Sequence, residues 1–184
     1  MSMKKPMIFL SFALLYCTCL LAQSSKVFPT LAGETLSDKK VVLPNDTKGK
    51  FSLVGMAYSK GAEEELKSWF QPVYSTFIEK TKGLFEENYD INLYFVPMFT
   101  GVNQAAEQTA KSKTKQNLDK ALHPYVLFYK GDLKPYKDAL DFEKKDTPYI
   151  YVLDPEGKII YSTSGKFSKD KLKKIESALG ADEE

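Results

Sequence analysis

Phe51-Ser52-Leu53-Val54-Gly55-Met56-Ala57-Tyr58 runs directly into Ser59-Lys60-Gly61-Ala62-Glu63-Glu64-Glu65. The first eight residues are apolar almost throughout, as strands buried on both faces of a parallel sheet tend to be. From about Ala62 the period changes. Leu66, Trp69, Phe70, Val73 and Phe77 recur at spacings of three and four, which predicts a helix with one apolar face. Three glutamates fill its first turn, where the helix dipole favours negative charge. Pro72 interrupts the pattern and is expected to kink the helix or divide it in two.

Downstream, the alternation continues. Ile91–Met98 reads as a second strand, and Asn103–Leu122, free of Gly and Pro, as a second helix with a weak apolar face. Tyr125–Tyr129 is a third strand, Leu133–Leu140 a short helix, and Tyr149–Leu153 a β-branched and aromatic strand. Asp154-Pro155-Glu156-Gly157 has the residues of a type I turn, and Lys158–Ser162 returns as the hairpin partner. Ser168 is positioned to cap a last helix whose buried face is Leu172, Ile175 and Leu179, with Gly180 as its stop. Upstream, Glu34–Leu36 and Val41–Leu43 read as short edge strands or a hairpin. Strands alternating with helices predict one layered α/β domain, with a largely parallel sheet made mixed by its terminal hairpin.

The N-terminus has a different character. Lys4 and Lys5 precede the apolar stretch Met7–Tyr16, and Ala22 offers a small residue for cleavage before Gln23. This is the pattern of a signal peptide over residues 1–22, and the stretch is short of the roughly 20 apolar residues a membrane span needs. An uncleaved anchor, or a lipoprotein signal acylated at Cys17 or Cys19, is the alternative. Both cysteines of the chain lie in this segment, so cleavage leaves a cysteine-free domain over residues 23–184 that a packed core must hold together. Export to the periplasm or extracellular space is the expected localisation.

The full chain has 26 basic and 24 acidic residues, and every basic residue is lysine. Loss of Lys4 and Lys5 makes the remainder formally neutral. Neutrality and the absence of arginine argue against nucleic acid as a partner. Lys111, Lys113, Lys115 and Lys120 are expected to form a solvated helix face, with contact to an anionic membrane surface left open.

The element order, with Phe28-Pro29, the Phe51–Glu63 segment and Thr147–Ile159, resembles the thioredoxin-like superfamily, particularly its exported, peroxiredoxin-related branch. The resemblance implies a three-layer α/β domain with a mixed central sheet. It also implies a cis-proline at Thr147-Pro148 facing the loop after the first central strand. Redox members of that family place a Cys-x-x-Cys or a peroxidatic cysteine in this loop, whereas this chain has Ser59-Lys60-Gly61-Ala62. Only a thiolate attacks a disulfide or peroxide usefully in such a site, so thiol oxidoreductase activity is not expected. Ser68-Trp69-Phe70-Gln71-Pro72 with Phe77 is also similar to the thioredoxin-like assembly factor of the mitochondrial ATP synthase, whose members are non-enzymatic helpers of membrane-protein assembly.

These readings place a candidate groove at Tyr58, Ser59, Lys60, Gly61, Ala62, Thr147, Pro148 and Tyr149, at the C-terminal ends of the parallel strands. Helix N-terminal amides there suit an anion or an extended peptide, with Tyr58, Lys60 and Tyr149 as contacts. His123, the single histidine, reads as structural, and no cofactor or metal is expected. Tyr125, Tyr129, Tyr136 and Tyr161 would make a protein-binding patch if exposed together. The expected function is a non-catalytic binding or assembly module of the cell envelope, with an envelope protein or peptide as partner. The alternatives are a non-thiol enzyme built on Ser59, Lys60 or His123, or a purely structural domain.

Overall fold

The computed structural model describes residues 26–79 and 89–180. The expected signal peptide over residues 1–22, with Cys17 and Cys19, and the acidic tail lie outside the described residues.

A seven-stranded mixed sheet forms the middle layer. Its strands are β1 (Leu31–Thr35), β2 (Lys40–Leu43), β3 (Ser52–Ala57), β4 (Asn92–Thr100), β5 (Leu127–Gly131), β6 (Tyr149–Leu153) and β7 (Ile159–Ser164), in the spatial order β2-β1-β5-β4-β3-β6-β7. β3, β4 and β5 are parallel, with Ala57 opposite Pro97 and Met98 opposite Tyr129. β6 runs antiparallel to β3, with Met56 opposite Tyr149, and β7 antiparallel to β6. The helices are α1 (Lys60–Tyr74), α2 (Glu107–Asn117), α3 (Lys134–Leu140) and α4 (Lys169–Ala178).

The three layers follow from strand alternation. Val54, Met56 and Tyr58 of the first central strand and its exit face one side, where Tyr136 and Leu140 of α3 meet Phe28, Leu31 and Phe142. Leu53 and Ala57 face the other, under Leu66, Trp69 and Val73 of α1 and Ile175 of α4. α2 lies on this second side as well, its Ala110 packed against Phe99 and Phe128. Right-handed crossovers from β3 to β4 and from β4 to β5 move the same way across the sheet, which puts both connecting helices on one face.

Several boundaries differ from the sequence reading. α1 begins at Lys60, capped by Ser59, rather than near Ala62. It passes through Pro72 without dividing and then widens into a π-helical turn over Ser75–Glu79, where the N–H of Ser75 reaches the carbonyls of Gln71 and Pro72. The expected second helix is three pieces: 3₁₀ turns over Gly101–Ala106, α2, and a second 3₁₀ stretch over Lys120–Tyr125. Tyr125 is therefore outside β5. The terminal hairpin is as expected: Gly157 donates to the Asp154 carbonyl at 2.9 Å, and Asp154 Oδ1 accepts from the amides of Glu156 and Lys158. Gly157 has φ +86°, a conformation that favours glycine.

Of the expected solvated lysine face, Lys113, Lys115 and Lys120 are exposed and Lys111 is buried, and the tyrosine patch does not form. Lys111 turns inward to Glu34 at 3.1 Å and Asp38 at 3.8 Å, Lys115 reaches Asp38 at 2.7 Å, and Lys113 lies elsewhere, against Phe70 and Leu118. Tyr129 and Tyr136 are buried against each other, while Tyr125 packs on Tyr74. Core packing accounts for these rings.

Candidate active corner

The chain leaves β3 through Tyr58 and turns into α1 at Ser59, at the C-terminal edge of the parallel strands. Ser59 has extended backbone and accepts the Ala62 N–H at 3.1 Å, a side-chain cap for a helix whose first amides have no partner within the helix. Its hydroxyl proton goes to Asp146 Oδ1 at 2.7 Å. Both capacities of the Ser59 oxygen are thus engaged, and the residue is buried.

Asp146 precedes Thr147-Pro148, so the two segments of the candidate groove do meet. Antiparallel pairing of β3 with β6 brings them together. The resemblance-based cis-proline is not there: Thr147-Pro148 is trans, and the cis bond among the described residues is Leu43-Pro44. Asp146 fills the corner instead. A Cβ added to Gly61 would stand 3.1 Å from the Asp146 carboxylate, so the loop and the carboxylate are in contact. The carboxylate thus lies beside the helix N-terminus and accepts the Ser59 hydroxyl, while the Ala62 and Glu63 amides go to Ser59 itself.

The groove's aromatic residues are committed elsewhere. Tyr58 stacks on Phe142 at 5.3 Å, and Phe142 stacks on Tyr149 at 4.7 Å, making a three-ring ladder beneath the corner. Lys137 Nζ lies 5.9 Å from the Tyr58 ring centroid. Burial, then the charges of Tyr149 and Asp146, pushes the Tyr58 phenol upward. The Tyr149 hydroxyl accepts the Lys144 N–H at 2.7 Å and donates to the Lys144 carbonyl. Tyr58, Ser59, Ala62 and Pro148 are buried, whereas Lys60, Gly61 and Asp146 are exposed and form the accessible rim.

Sequence reasoning missed Asp146, Phe142 and Lys137. The available signal was the place of Asp146 directly before the Thr147-Pro148 pair.

His123 is not part of this corner. It sits in the 3₁₀ stretch before β5, at the opposite end of the sheet from Ser59, with Nε2 3.1 Å from the Leu118 carbonyl. Ser59 and His123 therefore share no pocket. Among the described residues no group of three or more His, Cys, Asp or Glu is placed to hold a metal ion, and no helix is long and apolar enough to cross a membrane. A recess of about 380 Å³ lies between α1 and α2, lined by Lys67, Phe70, Lys113, Thr114, Asn117 and Leu118. Glu63 lines a deeper apolar slot beside it, and burial raises its carboxyl above the ordinary range.

The residues that carried the weaker resemblance have a clear role. Ser68 Oγ accepts the Phe167 N–H at 3.0 Å, Trp69 Nε1 donates to the Gly165 carbonyl at 2.9 Å, and the Trp69 ring meets Phe167 edge-on at 5.3 Å. The pair fastens α1 to the segment between β7 and α4. A family model described as ATP10 protein matches residues 17–180. The chain belongs to the ATP10 protein family. This bears out the likeness to the ATP synthase assembly factor.

Solved structures similar to this ATP10 family chain are thioredoxin-like. BsSco, a member of the Sco family of cytochrome c oxidase assembly proteins, aligns with a TM-score of 0.55 at 12% identity, covering 85% of this chain and 95% of that one. A putative thiol:disulfide interchange protein DsbE from Chlorobium tepidum aligns at 0.54 and 12%, with coverage of 85% and 95%. A putative protein disulfide isomerase from Bacteroides thetaiotaomicron aligns at 0.52 and 15%, with coverage of 83% and 86%. At these identities the likeness establishes the fold alone. No curated relative matches the sequence.

Proposed function

We propose that this ATP10 family chain is a non-catalytic assembly helper for a membrane protein complex, working on the exported side of a membrane. The carrying observation is the filled corner. Where a thiol chemistry would need a nucleophile, Ser59 caps α1 and donates to Asp146 Oδ1 at 2.7 Å. A serine oxygen forms no mixed disulfide, and here it is engaged as the cap of α1. The assembly role is supported by the family match. The exported placement is supported by the charged and apolar N-terminal stretch, Lys4 to Ala22.

On this reading the accessible rim of Lys60, Gly61 and Asp146 meets the client, an envelope protein or peptide, while the stacked ladder of Tyr58, Phe142 and Tyr149 holds that rim rigid. A photo-crosslinker replacing Lys60 is expected to capture a subunit of the ATP synthase during its assembly. The same crosslinker at Lys120, near the opposite end of the sheet, is expected not to. Equal capture from both positions would remove the corner from the proposal.

A further inference from the structure

We propose that the outer edge of β7 binds an extended segment of a partner polypeptide by antiparallel strand addition. This goes beyond the corner and does not depend on it. Among the described strands β7 ends the sheet, with β6 as its one neighbour. The Gly165 amide bonds the Pro148 carbonyl, so alternation along an antiparallel pair turns the backbone groups of Ser162 and Ser164 outward. Of these, the Ser164 carbonyl is taken by Lys171 Nζ at 2.8 Å. The amides of Ser162 and Ser164 and the Ser162 carbonyl have no partner among the described residues.

The edge already accepts a strand at its beginning. Ile159 N–H donates to the Lys26 carbonyl at 2.8 Å, and Phe28 N–H to the Gly157 carbonyl at 2.9 Å, with Val27 antiparallel to Lys158. Lys26 is the first described residue of that strap, and among the described residues none pairs with the outer side of Ile160–Ser164. Two of the three exposed large apolar residues described, Val27 at 63% and Ile160 at 42%, lie at this junction.

β7 lacks two of the usual defences of an edge strand, charge and proline, within Ile159–Ser164, while its pairing with β6 shifts register beside Ile160. The other edge strand, β2, has them: Asp46 Oδ2 covers the Val42 amide at 2.8 Å, Lys40 opens the strand and Pro44 closes it.

Charge defines the partner. Lys158, Lys166 and Lys169 are exposed around the edge and make no ion pair among the described residues. An uncharged, β-branched segment with acidic residues at its ends fits this setting. A second copy fits less well. Five free residues a side fall far below the roughly 20–30 per partner of a stable interface.

The test uses the full chain and a labelled heptapeptide of alternating valine and threonine with aspartate at each end. Binding measured by anisotropy is expected, with slowed hydrogen exchange at the Ser162 and Ser164 amides. Ser162→Pro removes an outward amide, a change edge strands tolerate, and is expected to weaken binding at least tenfold; Lys158→Glu with Lys166→Glu should weaken it several-fold. If Ser162→Pro fails to fold, exchange in the unaltered chain decides the matter. No binding at millimolar peptide, unprotected Ser162 and Ser164 amides, or unchanged affinity in a folded Ser162→Pro chain would overturn the proposal. A concentration-dependent dimer abolished by Ser162→Pro would overturn it in favour of self-pairing.

Discussion

The indole N–H of Trp69 donates to the Gly165 carbonyl at 2.9 Å, in the middle of a side chain that is wholly buried. One residue of α1 thereby fixes the position of the segment linking β7 to α4, 96 residues away. Trp69→Phe keeps most of the ring and loses the bond, and is expected to cost about 1–2 kcal/mol. Trp69→Ala adds a cavity and is expected to cost about 3–5 kcal/mol. Urea unfolding midpoints give both values, and equal losses would mean that the bond contributes nothing.

Ser59 holds α1 at its first turn. Ser59→Ala removes the cap on the Ala62 amide and is expected to cost about 1 kcal/mol. Asp146→Asn keeps an acceptor for the Ser59 hydroxyl and should cost less. Thermal unfolding of both variants checks the order.

Asp146 Oδ1 lies 2.7 Å from Ser59 Oγ, which puts its charge within reach of a thiol at that position. A thiol introduced by Ser59→Cys, with Cys17 and Cys19 replaced by serine, should ionise less readily than the same thiol beside Asp146→Asn. Nearby negative charge opposes the thiolate, and the helix N-terminus favours it. The pH dependence of alkylation is expected to shift downward when Asp146 is neutralised. An identical profile in both chains would place the carboxylate outside electrostatic reach.

Glu63 sets a pH dependence of stability. Burial raises its carboxyl in the folded chain, partly offset by the charge of Lys67, while the ordinary value is 4.5. The folded state then holds the proton more tightly than the unfolded one. Its stabilising contribution is full below about pH 4.5 and is lost as pH rises through the raised folded value. Glu63→Gln is expected to abolish that decline and to gain a few tenths of a kcal/mol at neutral pH. Denaturant midpoints at pH 4 and pH 7 should move apart in the parent and stay together, at this position's contribution, in the variant.

The strand-to-helix entry at Ser59, the parallel strands and the terminal hairpin were legible because each rests on local signals: an apolar run, a period change, an Asp-Pro-x-Gly turn. β5 began later than expected because Tyr125-Val126 continues the aromatic and β-branched run into Leu127, yet the 3₁₀ turn that holds Pro124 extends to Tyr125. α2 was misjudged in length because its apolar face is weak, and only Ala110 and Leu118 at its end pack on the sheet. The corner was half legible. Its loop followed from the period change near Ala62, but its filling by Asp146 depends on a contact spanning 87 residues, which no local pattern records. Tyr58 and Tyr149 read as ligand contacts because they flank the groove in sequence. In the structure Phe142 stands between their rings and takes both.

The most direct test of the assembly-helper account is complementation with a chain lacking all thiols. In cells deleted for this protein, assembled ATP synthase resolved on a native gel is expected to fall. Expression of the chain with Cys17→Ser and Cys19→Ser is expected to restore it to the level given by the unaltered chain. Restoration by the unaltered chain alone would show that a cysteine does the work and contradict the account; so would undiminished ATP synthase after the deletion.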